Sequence, residues 1–321
     1  MKKDLRHHLV CFGGGTGLST LLLGLKKLHL SPTAIVTMCD EGGSTGRLRR
    51  SLGSPAVGDL RHCMTTLSQA PKDMTELLSY RFKGNRYNND DSSIEGQNLG
   101  NLLLVAAKDI TGNLNAGIDL LSRIFKVRGQ VIPSTLENVR ISALTADGVI
   151  VEGEENIDLG RYDGTRTIEK LSLLPEDAKG SHQAILAIRK ASCLTAGPGD
   201  LFTSIMPNFL IKEIRNEVKK STVRKVLVIN IANKPFETPN FTVLDYLKAI
   251  EKHIGFQPFT HVVVNTNQKS PIPSNLKYTY VPTTIPRRSV ITFLLKDVVN
   301  EPYPLFHDPV KLAKVIHTML Q

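Results

Sequence analysis

Three glycine-rich segments of this 321-residue chain have the composition of anion-binding loops. The first, Gly-Gly-Gly-Thr-Gly at 13–17, follows an apolar run at 9–12 and precedes a leucine-rich stretch with helical spacing. Glycines let the backbone approach a phosphate, and the N–H groups of a following helix favour negative charge. Because Leu18 takes the last position, the segment is not a Gly-x-Gly-x-x-Gly fingerprint, and no Gly-Lys-Ser/Thr follows. Its candidate ligand contacts are Gly13, Gly14, Gly15, Thr16 and Gly17.

The second segment, Asp-Glu-Gly-Gly-Ser-Thr-Gly-Arg-Leu-Arg at 40–49, follows the next apolar run. Asp40 stands where an acid that binds ribose hydroxyls belongs in a dinucleotide fold. A glycine loop directly after that acid indicates a second anion or a metal, with Arg47 or Arg49 pairing a phosphate, although both arginines also suit a solvated helix start. The segment spells Gly-x-Ser-x-Gly too, but a hydrolase elbow follows several strands and only one precedes Ser44. Its candidates are Asp40, Gly42, Gly43, Ser44 and Arg47.

The third segment, Gly-Pro-Gly-Asp-Leu-Phe-Thr-Ser at 197–204, also follows an apolar run. It offers backbone N–H groups and two hydroxyls to an anion. A helix cap by Asp200 is the alternative. Its candidates are Gly197, Pro198, Gly199, Thr203 and Ser204. Two shorter segments add side chains that are, taken singly, more often parts of turns or caps, namely Asp59, Arg61, Asn98 and Asn101.

The elements around these segments predict an α/β fold, a Rossmann-like doubly wound parallel sheet. Strand, glycine turn, helix and strand follow one another within about 30 residues, the length of a βαβ unit. Apolar runs at 226–231 and 262–264 add buried strands, and continuous apolar strands between helices favour a parallel sheet covered on both faces. Ligands of such sheets bind beyond the carboxyl ends of the strands, where all three glycine segments lie.

The pattern changes in the middle of the chain, which predicts a small β-rich insertion. Its short strands are expected at 131–132, 139–144 and 149–151, with a tight turn at Asp147 and Gly148. Outside it, the sequence predicts helices at 64–82 and 99–110 and a polar loop at 84–93. The predicted organisation is a nucleotide-binding half at 1–125, the insertion at 126–172 and the second half of the α/β domain at 173–321.

The composition of the chain limits the classes of ligand and partner that it is expected to bind. The net charge of +10 suits nucleic acid, an acidic membrane surface or a phosphorylated small molecule. Nucleic acid is not expected, because the chain has no Trp and no aromatic-plus-basic stacking motif. The four cysteines lack Cys-x-x-Cys spacing, which argues against disulfides and zinc. No apolar run approaches the roughly 18 residues of a membrane span, and the start of the chain lacks a secretory apolar core, so we expect a cytoplasmic protein.

The motifs resemble those of the YvcK/YbhK branch of the CofD-like family, whose members are labelled gluconeogenesis factors. The similarity runs from Val10 to about Ile254. The matching blocks are G-G-G-T-G-L at 13–18, D-D-G-G-S-S-G-R-L-R at 40–49, P-P-G-D-x-R-N-C at 56–63, G-x-x-x-G-N-L at 96–102 and G-P-G-S-x-Y-T-S at 197–204. This chain departs from them in losing both prolines of the third block and in Glu41, Thr45, His62, Asp200 and Phe202.

The resemblance implies a Rossmann-like core, a homodimer and one of two functions. The YvcK branch is similar to a regulator that binds UDP-sugars and links carbon source to cell-wall synthesis and cell shape. The CofD branch is a transferase that moves a phospholactyl group from a guanosine-diphosphate donor to a deazaflavin with a divalent metal. The wording of the motifs is closer to the regulatory branch, which often has Tyr where Phe241 stands.

The sequence therefore favours a nucleotide-sugar-binding regulator. Segments 13–17 and 197–204 would hold the diphosphate, while Asp40 and Asp59 would serve ribose or a metal. The first alternative is a Mg²⁺-dependent transferase in which the two aspartates hold the cation, because hard cations prefer oxygen ligands. A dinucleotide-binding protein is the third interpretation.

Overall fold

The computed structural model describes residues 8–85, 90–163 and 167–321. Its strands are β1 (Leu9–Gly13), β2 (Thr33–Val36), β3 (Gln130–Pro133), β4 (Arg140–Thr145), β5 (Ile150–Glu152), β6 (Ile168–Leu174), β7 (Cys193–Ala196), β8 (Arg224–Val228), β9 (Ala232–Asn233), β10 (His261–Asn265), β11 (Thr279–Tyr280) and β12 (Thr292–Lys296). Its α-helices are α1 (Thr16–Lys27), α2 (Gly43–Leu52), α3 (Gly58–Leu67), α4 (Lys72–Ser79), α5 (Leu99–Thr111), α6 (Leu114–Ile124), α7 (Glu154–Leu159), α8 (His182–Lys190), α9 (Met206–Leu210), α10 (Lys212–Lys220), α11 (Val243–Ile254) and α12 (Pro309–Thr318). A π-helical turn, Leu201–Ile205, leads into α9.

The central sheet has seven strands in the order β12-β10-β8-β7-β1-β2-β3, and every pair in it is parallel. The chain builds outward from β1 to β3, then returns to the other side of β1 and builds outward from β7 to β12. The topological switch point therefore lies between β1 and β7. Both strands are buried along their whole length, as expected for apolar strands covered on two faces. The predicted Rossmann-like fold is confirmed.

A small antiparallel sheet in the order β5-β4-β6, with α7 following β5, forms the insertion. The tight turn between β4 and β5 is where the sequence predicts it, with Gly148 at a φ of 85° that suits glycine. Residues 131–132 differ from the prediction, because they lie in β3, which pairs with β2 in the central sheet. A short apolar run does not reveal which sheet will bury it.

The predicted helix at 64–82 is two helices, α3 and α4. Helix α3 ends at Leu67, and Pro71 directly precedes α4 with a φ of −51°. Because a proline disfavours helical backbone at the residue before it, here Ala70, one helix does not continue through this segment. The helix predicted at 99–110 is confirmed as α5. Of the polar loop predicted at 84–93, residues 86–89 lie outside the described residues.

All four cysteines are buried free thiols, and a cysteine in that environment behaves as a small hydrophobic residue. Within the ranges that the structure describes, no helix combines the length and the apolar character that a bilayer span requires.

Candidate functional site

Two of the predicted glycine segments meet at the switch point. A Cβ on Gly17 would lie 2.3 Å from the carbonyl oxygen of Pro198, so only glycine allows the loop after β1 to pack directly on the loop after β7. Helix α1 starts beside this contact without a capping side chain, and the N–H groups of such a helix start carry partial positive charge. Both loops line a cleft of about 320 Å³, to which they contribute Gly15, Thr16, Gly17, Pro198, Gly199, Asp200, Thr203 and Ser204.

Gly17→Ala tests whether this loop contact shapes a binding site. We expect the added methyl group to destabilise the protein by about 1–3 kcal/mol, because it meets backbone rather than a movable side chain, and to weaken nucleotide binding about tenfold by separating the loops. Thermal unfolding and ligand titration measure the two effects. Gly180→Ala is the matched control, since its Cβ would meet side chains at 3.3 Å and more. Unchanged affinity in folded Gly17→Ala would remove the loop pair from the site.

The glycines at 14 and 15 make room for a carboxylate. Asp59, on α3, accepts a hydrogen bond from the Gly15 N–H, and a Cβ on Gly15 would lie 2.3 Å from Asp59 Oδ1. A Cβ on Gly14 would lie 2.9 Å from Asp59 Oδ2. The close approach that the sequence assigns to a phosphate at this point of the loop is thus made by the Asp59 side chain.

Three carboxylates, those of Asp40, Asp59 and Glu154, line the cleft where it continues into a second cavity of about 290 Å³. Burial raises the pKa of each, and the neighbouring Asp40 carboxylate adds to the rise at Asp59 and Glu154. Among the described residues, none of the three forms an ion pair with Lys or Arg. Carboxylate oxygens are the donors that Mg²⁺ prefers. Among the described residues, however, only Asp158, Asp200 and Glu237 bring three such groups within 4.8 Å of one another, so Asp40, Asp59 and Glu154 do not form a complete three-carboxylate site.

Lys234, which follows β9, lies in a second group of carboxylates. Its Nζ contacts Asp158 on α7, lies 2.9 Å from Asp200 Oδ2 and 3.8 Å from Glu237 Oε1. The three carboxylates are close enough to hold a metal ion, but the ammonium group already lies among them. Although burial alone would lower it, the carboxylates of Asp200 and Glu237 raise the pKa of Lys234. No motif in the sequence marks this lysine.

The predicted phosphate contact of Arg47 is not supported. The side chain is 1% exposed and donates to the carbonyl oxygens of Asp90, Ser93 and Glu95, so it holds the loop before α5. Arg49 is buried as well and donates to the carbonyl oxygens of neighbouring loops and to an asparagine side chain. An arginine beside a glycine loop has the same sequence signature whether it faces an anion or the carbonyl groups of its own protein.

Ser44 and the two predicted asparagines form a buried network. The Ser44 hydroxyl donates to Gln97 Oε1 at 2.6 Å and accepts from Asn98 N and Asn101 Nδ2, both at 3.1 Å. Asn98 caps α5 by accepting from the Asn101 N–H and donates to a backbone carbonyl. The Ser44 proton is therefore committed, which excludes the nucleophile-elbow role, and Asn98 is a helix cap rather than a ligand contact.

The loop after β7 is held from beneath by a buried glutamate. Glu237 accepts from the Thr203 hydroxyl at 2.7 Å and from the Phe202 N–H at 3.0 Å. Asp200 does not cap the following turn through its side chain but accepts from Lys234 and from Asn230 Nδ2. Thr203 consequently lines the cleft, but its hydroxyl proton is donated to Glu237 and is not available to a ligand.

A basic corner closes the second cavity. Arg61, His62 and Arg81 line it, and Arg61 Nε donates to Asn101 Oδ1 at 3.4 Å. Burial lowers the pKa of Arg61, and the nearby Arg81 lowers it further. Burial lowers the pKa of His62 to about 4, which keeps its imidazole neutral at physiological pH. The second cavity is thus lined both by carboxylates and by guanidinium groups.

Not every predicted residue faces the cleft. Those on a cavity wall are Gly15, Thr16, Gly17, Asp40, Gly42, Gly43, Ser44, Asp59, Arg61, Asn101, Pro198, Gly199, Thr203 and Ser204. Those away from both walls are Gly13, Gly14, Arg47, Asn98 and Gly197. The predicted loops therefore converge, although individual side chains within them serve the fold.

The wall opposite the glycine loops is aromatic, and the sequence gives no signal for it. Tyr278, Leu305, Phe306 and His307 line it, with Phe306 47% exposed. Phe241, by contrast, packs its ring against Phe202 and Tyr246 and lines neither described cavity of the cleft. The aromatic wall lies on loops distant in sequence from every glycine segment.

The chain is similar to known proteins over most of its length. Residues 9–285 match the family model described as 2-phospho-L-lactate transferase CofD. A relative from Aquifex aeolicus (strain VF5) is 40% identical over 98% of this chain and 97% of its own length. A Bacillus subtilis (strain 168) protein named gluconeogenesis factor is 38% identical over 85% and 82%. A crystal structure of a UPF0052 family member from Bacillus halodurans superposes with a TM-score of 0.86 at 34% identity, covering 98% and 99% of the two chains. The chain belongs to the CofD family, in the group of relatives named gluconeogenesis factors.

Proposed function

We propose that this chain is a cytoplasmic, homodimeric regulator of carbon metabolism, cell-wall synthesis and cell shape that binds a nucleotide sugar, such as a UDP-sugar, in its cleft. One observation carries the proposal. The uncapped start of α1 and the loop at 197–204 meet at the switch point, where ligands of doubly wound sheets bind. The Bacillus subtilis relative named gluconeogenesis factor supports the link to carbon metabolism.

The cleft offers a different chemistry to each part of such a ligand. The diphosphate would lie over Thr16 and Gly17, where the N–H groups of α1 favour an anion. The base would lie against the aromatic wall around Tyr278 and Phe306, since rings stack on flat apolar side chains. The sugar would extend into the second cavity, towards Arg61.

A diphosphate in this position lies beside carboxylates that repel it. Asp40 and Asp59 would hold a Mg²⁺ ion there, which would offset the negative charge between protein and ligand. Asp59 would keep its hydrogen bond from the Gly15 N–H at the same time and so orient its carboxylate towards the cleft.

The carboxylates also favour a second candidate, a Mg²⁺-dependent transferase of phosphorus-containing groups, because a cation in such a set stabilises charge on a phosphoryl group. The two functions differ in what happens to the ligand. A regulator returns the nucleotide sugar unchanged after long incubation with Mg²⁺. Release of UMP, or a phosphoryl group transferred to an acceptor, would favour the transferase.

The experiment that tests the proposal is a thermal-shift and titration panel of UDP-N-acetylglucosamine, UDP, GDP and NAD, each with Mg²⁺ or EDTA. We expect the uridine nucleotides to raise the melting temperature in Mg²⁺ and to do so less in EDTA. A ligand present at a hundred times its Kd stabilises by about 2.7 kcal/mol, which such a scan resolves. A shift with NAD alone would favour the dinucleotide interpretation, and no shift with any nucleotide would contradict the proposal.

A further inference from the structure

His307 lies in the wall of the cleft, and a hydrogen bond holds one of its ring nitrogens. It is 4% exposed and lines the aromatic wall, and its Nε2 lies 3.2 Å from the carbonyl oxygen of Ile229. A carbonyl oxygen only accepts, so Nε2 must carry the proton and donate it. In a neutral imidazole the other nitrogen, Nδ1, is then an acceptor.

The Nδ1 atom of His307 has no hydrogen-bond partner among the described residues. It is also absent from the set of unpartnered side-chain atoms that are fully buried, so it keeps some exposed surface. Burial lowers the pKa of His307 to about 4, so the ring stays neutral and the acceptor persists through the physiological range. An acceptor that is held in one tautomer at the edge of a cleft is suited to reading a donor on a ligand.

The neighbours of His307 indicate which part of the ligand it meets. Tyr278, Leu305 and Phe306 form the flat apolar part of the same wall, and Phe306 is next to His307 in the chain. A base lying on such a surface turns its polar edge towards the surface's border. This step rests on the proposed function, since it requires a nucleotide in the cleft.

We propose that His307 selects the base of the nucleotide, with Nδ1 accepting a hydrogen bond from a ring N–H of uracil or guanine. Cytosine and adenine have a bare acceptor nitrogen at the corresponding ring position, which would face Nδ1 without a proton between them. A site that leaves a buried polar group unpaired rejects the analogue more strongly than one that loses a methyl group. The protein therefore binds nucleotides with a ring N–H next to a carbonyl.

The test compares UDP with CDP in Mg²⁺, because the two differ only in the base. We expect the wild-type protein to bind UDP at least tenfold more tightly than CDP. His307→Gln can still donate an N–H to Ile229 but has no acceptor at the Nδ1 position, so its preference for UDP should fall to about threefold or less. His261→Gln, a half-buried histidine on β10 that lines neither described cavity of the cleft, should keep the full preference.

A second arm leaves the protein unaltered. UDP methylated at N3 of uracil lacks the donor and should bind the wild-type protein at least tenfold less tightly than UDP, even if His307→Gln does not fold. Equal binding of UDP, CDP and the methylated UDP would overturn the role of His307 while the proposed function stands. If none of them binds, the proposed function and the inference both fail.

Discussion

Replacing Lys234 by methionine is expected to destabilise the protein by about 3–5 kcal/mol at pH 8, the usual cost of removing one partner from a buried ionic group. The lysine side chain is 13% exposed and that of Glu237 is not exposed at all, so water cannot take over the role of the ammonium group. Without it, the negative charges of Asp158, Asp200 and Glu237 remain close together. Chemical denaturation of both proteins measures the difference.

The loss should shrink as the pH falls from 8 to 5. Burial and then the Asp200 carboxylate raise the pKa of Glu237 to about 8, above its usual value, and Lys234 works against that rise. In the variant the folded carboxylates take up protons more readily than the unfolded ones, so the folded state gains stability as the pH decreases. A loss that stays constant between pH 5 and 8 would contradict this electrostatic origin.

Two further variants separate charge from packing. Lys234→Arg keeps the positive charge and should lose less stability than Lys234→Met. Lys252→Met removes a lysine whose ion pair with Glu169 is half exposed, so its effect should be small. A loss in Lys234→Arg as large as that in Lys234→Met would mean that the positive charge is not what stabilises this group.

Asp59→Asn is expected to weaken nucleotide binding in Mg²⁺ about a hundredfold, or about 2.7 kcal/mol, and to abolish the enhancement by Mg²⁺. Asparagine keeps an oxygen that accepts from the Gly15 N–H, so the loop should hold its shape while the charge that attracts the cation is lost. Asp40→Asn should have the same effect, because its carboxylate lines the same part of the cleft. Titration calorimetry with UDP, in Mg²⁺ and in EDTA, measures both.

The double variant distinguishes a metal from ribose. If one cation uses both carboxylates, Asp40→Asn with Asp59→Asn should bind little more weakly than either single variant, because residues that act as a unit are not additive. Glu251→Gln, an exposed residue on α11, is the control and should bind as the wild type does. Additive losses of equal size in Mg²⁺ and in EDTA would instead assign Asp40 and Asp59 to separate hydrogen bonds with the ligand.

The parts of the site that the sequence predicts are those with a local signature. A glycine turn after an apolar run marks a strand end whatever the rest of the chain does, so the loops at 13–17 and 197–204 could be assigned to one edge of the sheet. The switch point that brings them together follows from the strand order. The local sequence pattern is therefore enough to predict the fold class and the edge of the sheet at which the cleft lies.

The parts that it does not predict depend on contacts between distant segments. In the sequence, Asp158 and Lys234 look like ordinary surface residues. They come together because the insertion packs against the loop after β7. Arg47 is the opposite case. Its place beside a glycine loop suggests a phosphate contact, but its guanidinium group donates to three carbonyl oxygens of a loop distant in sequence. The direction in which a side chain of a predicted loop points is decided by packing, and the spacing of residues in the sequence does not reveal that packing.

The position of β1 has a consequence for synthesis on the ribosome. Leu9 pairs with Cys193, the first residue of β7, so a strand made at the start of the chain stays open on one side until most of the protein has been translated. Such pairings between distant segments form slowly and late. Until then β1 can pair only with β2, and the cleft lacks part of its wall before the loop at 197–204 has been translated. Until β7 has been translated, β1 therefore has an unpaired edge of the kind that is prone to aggregation.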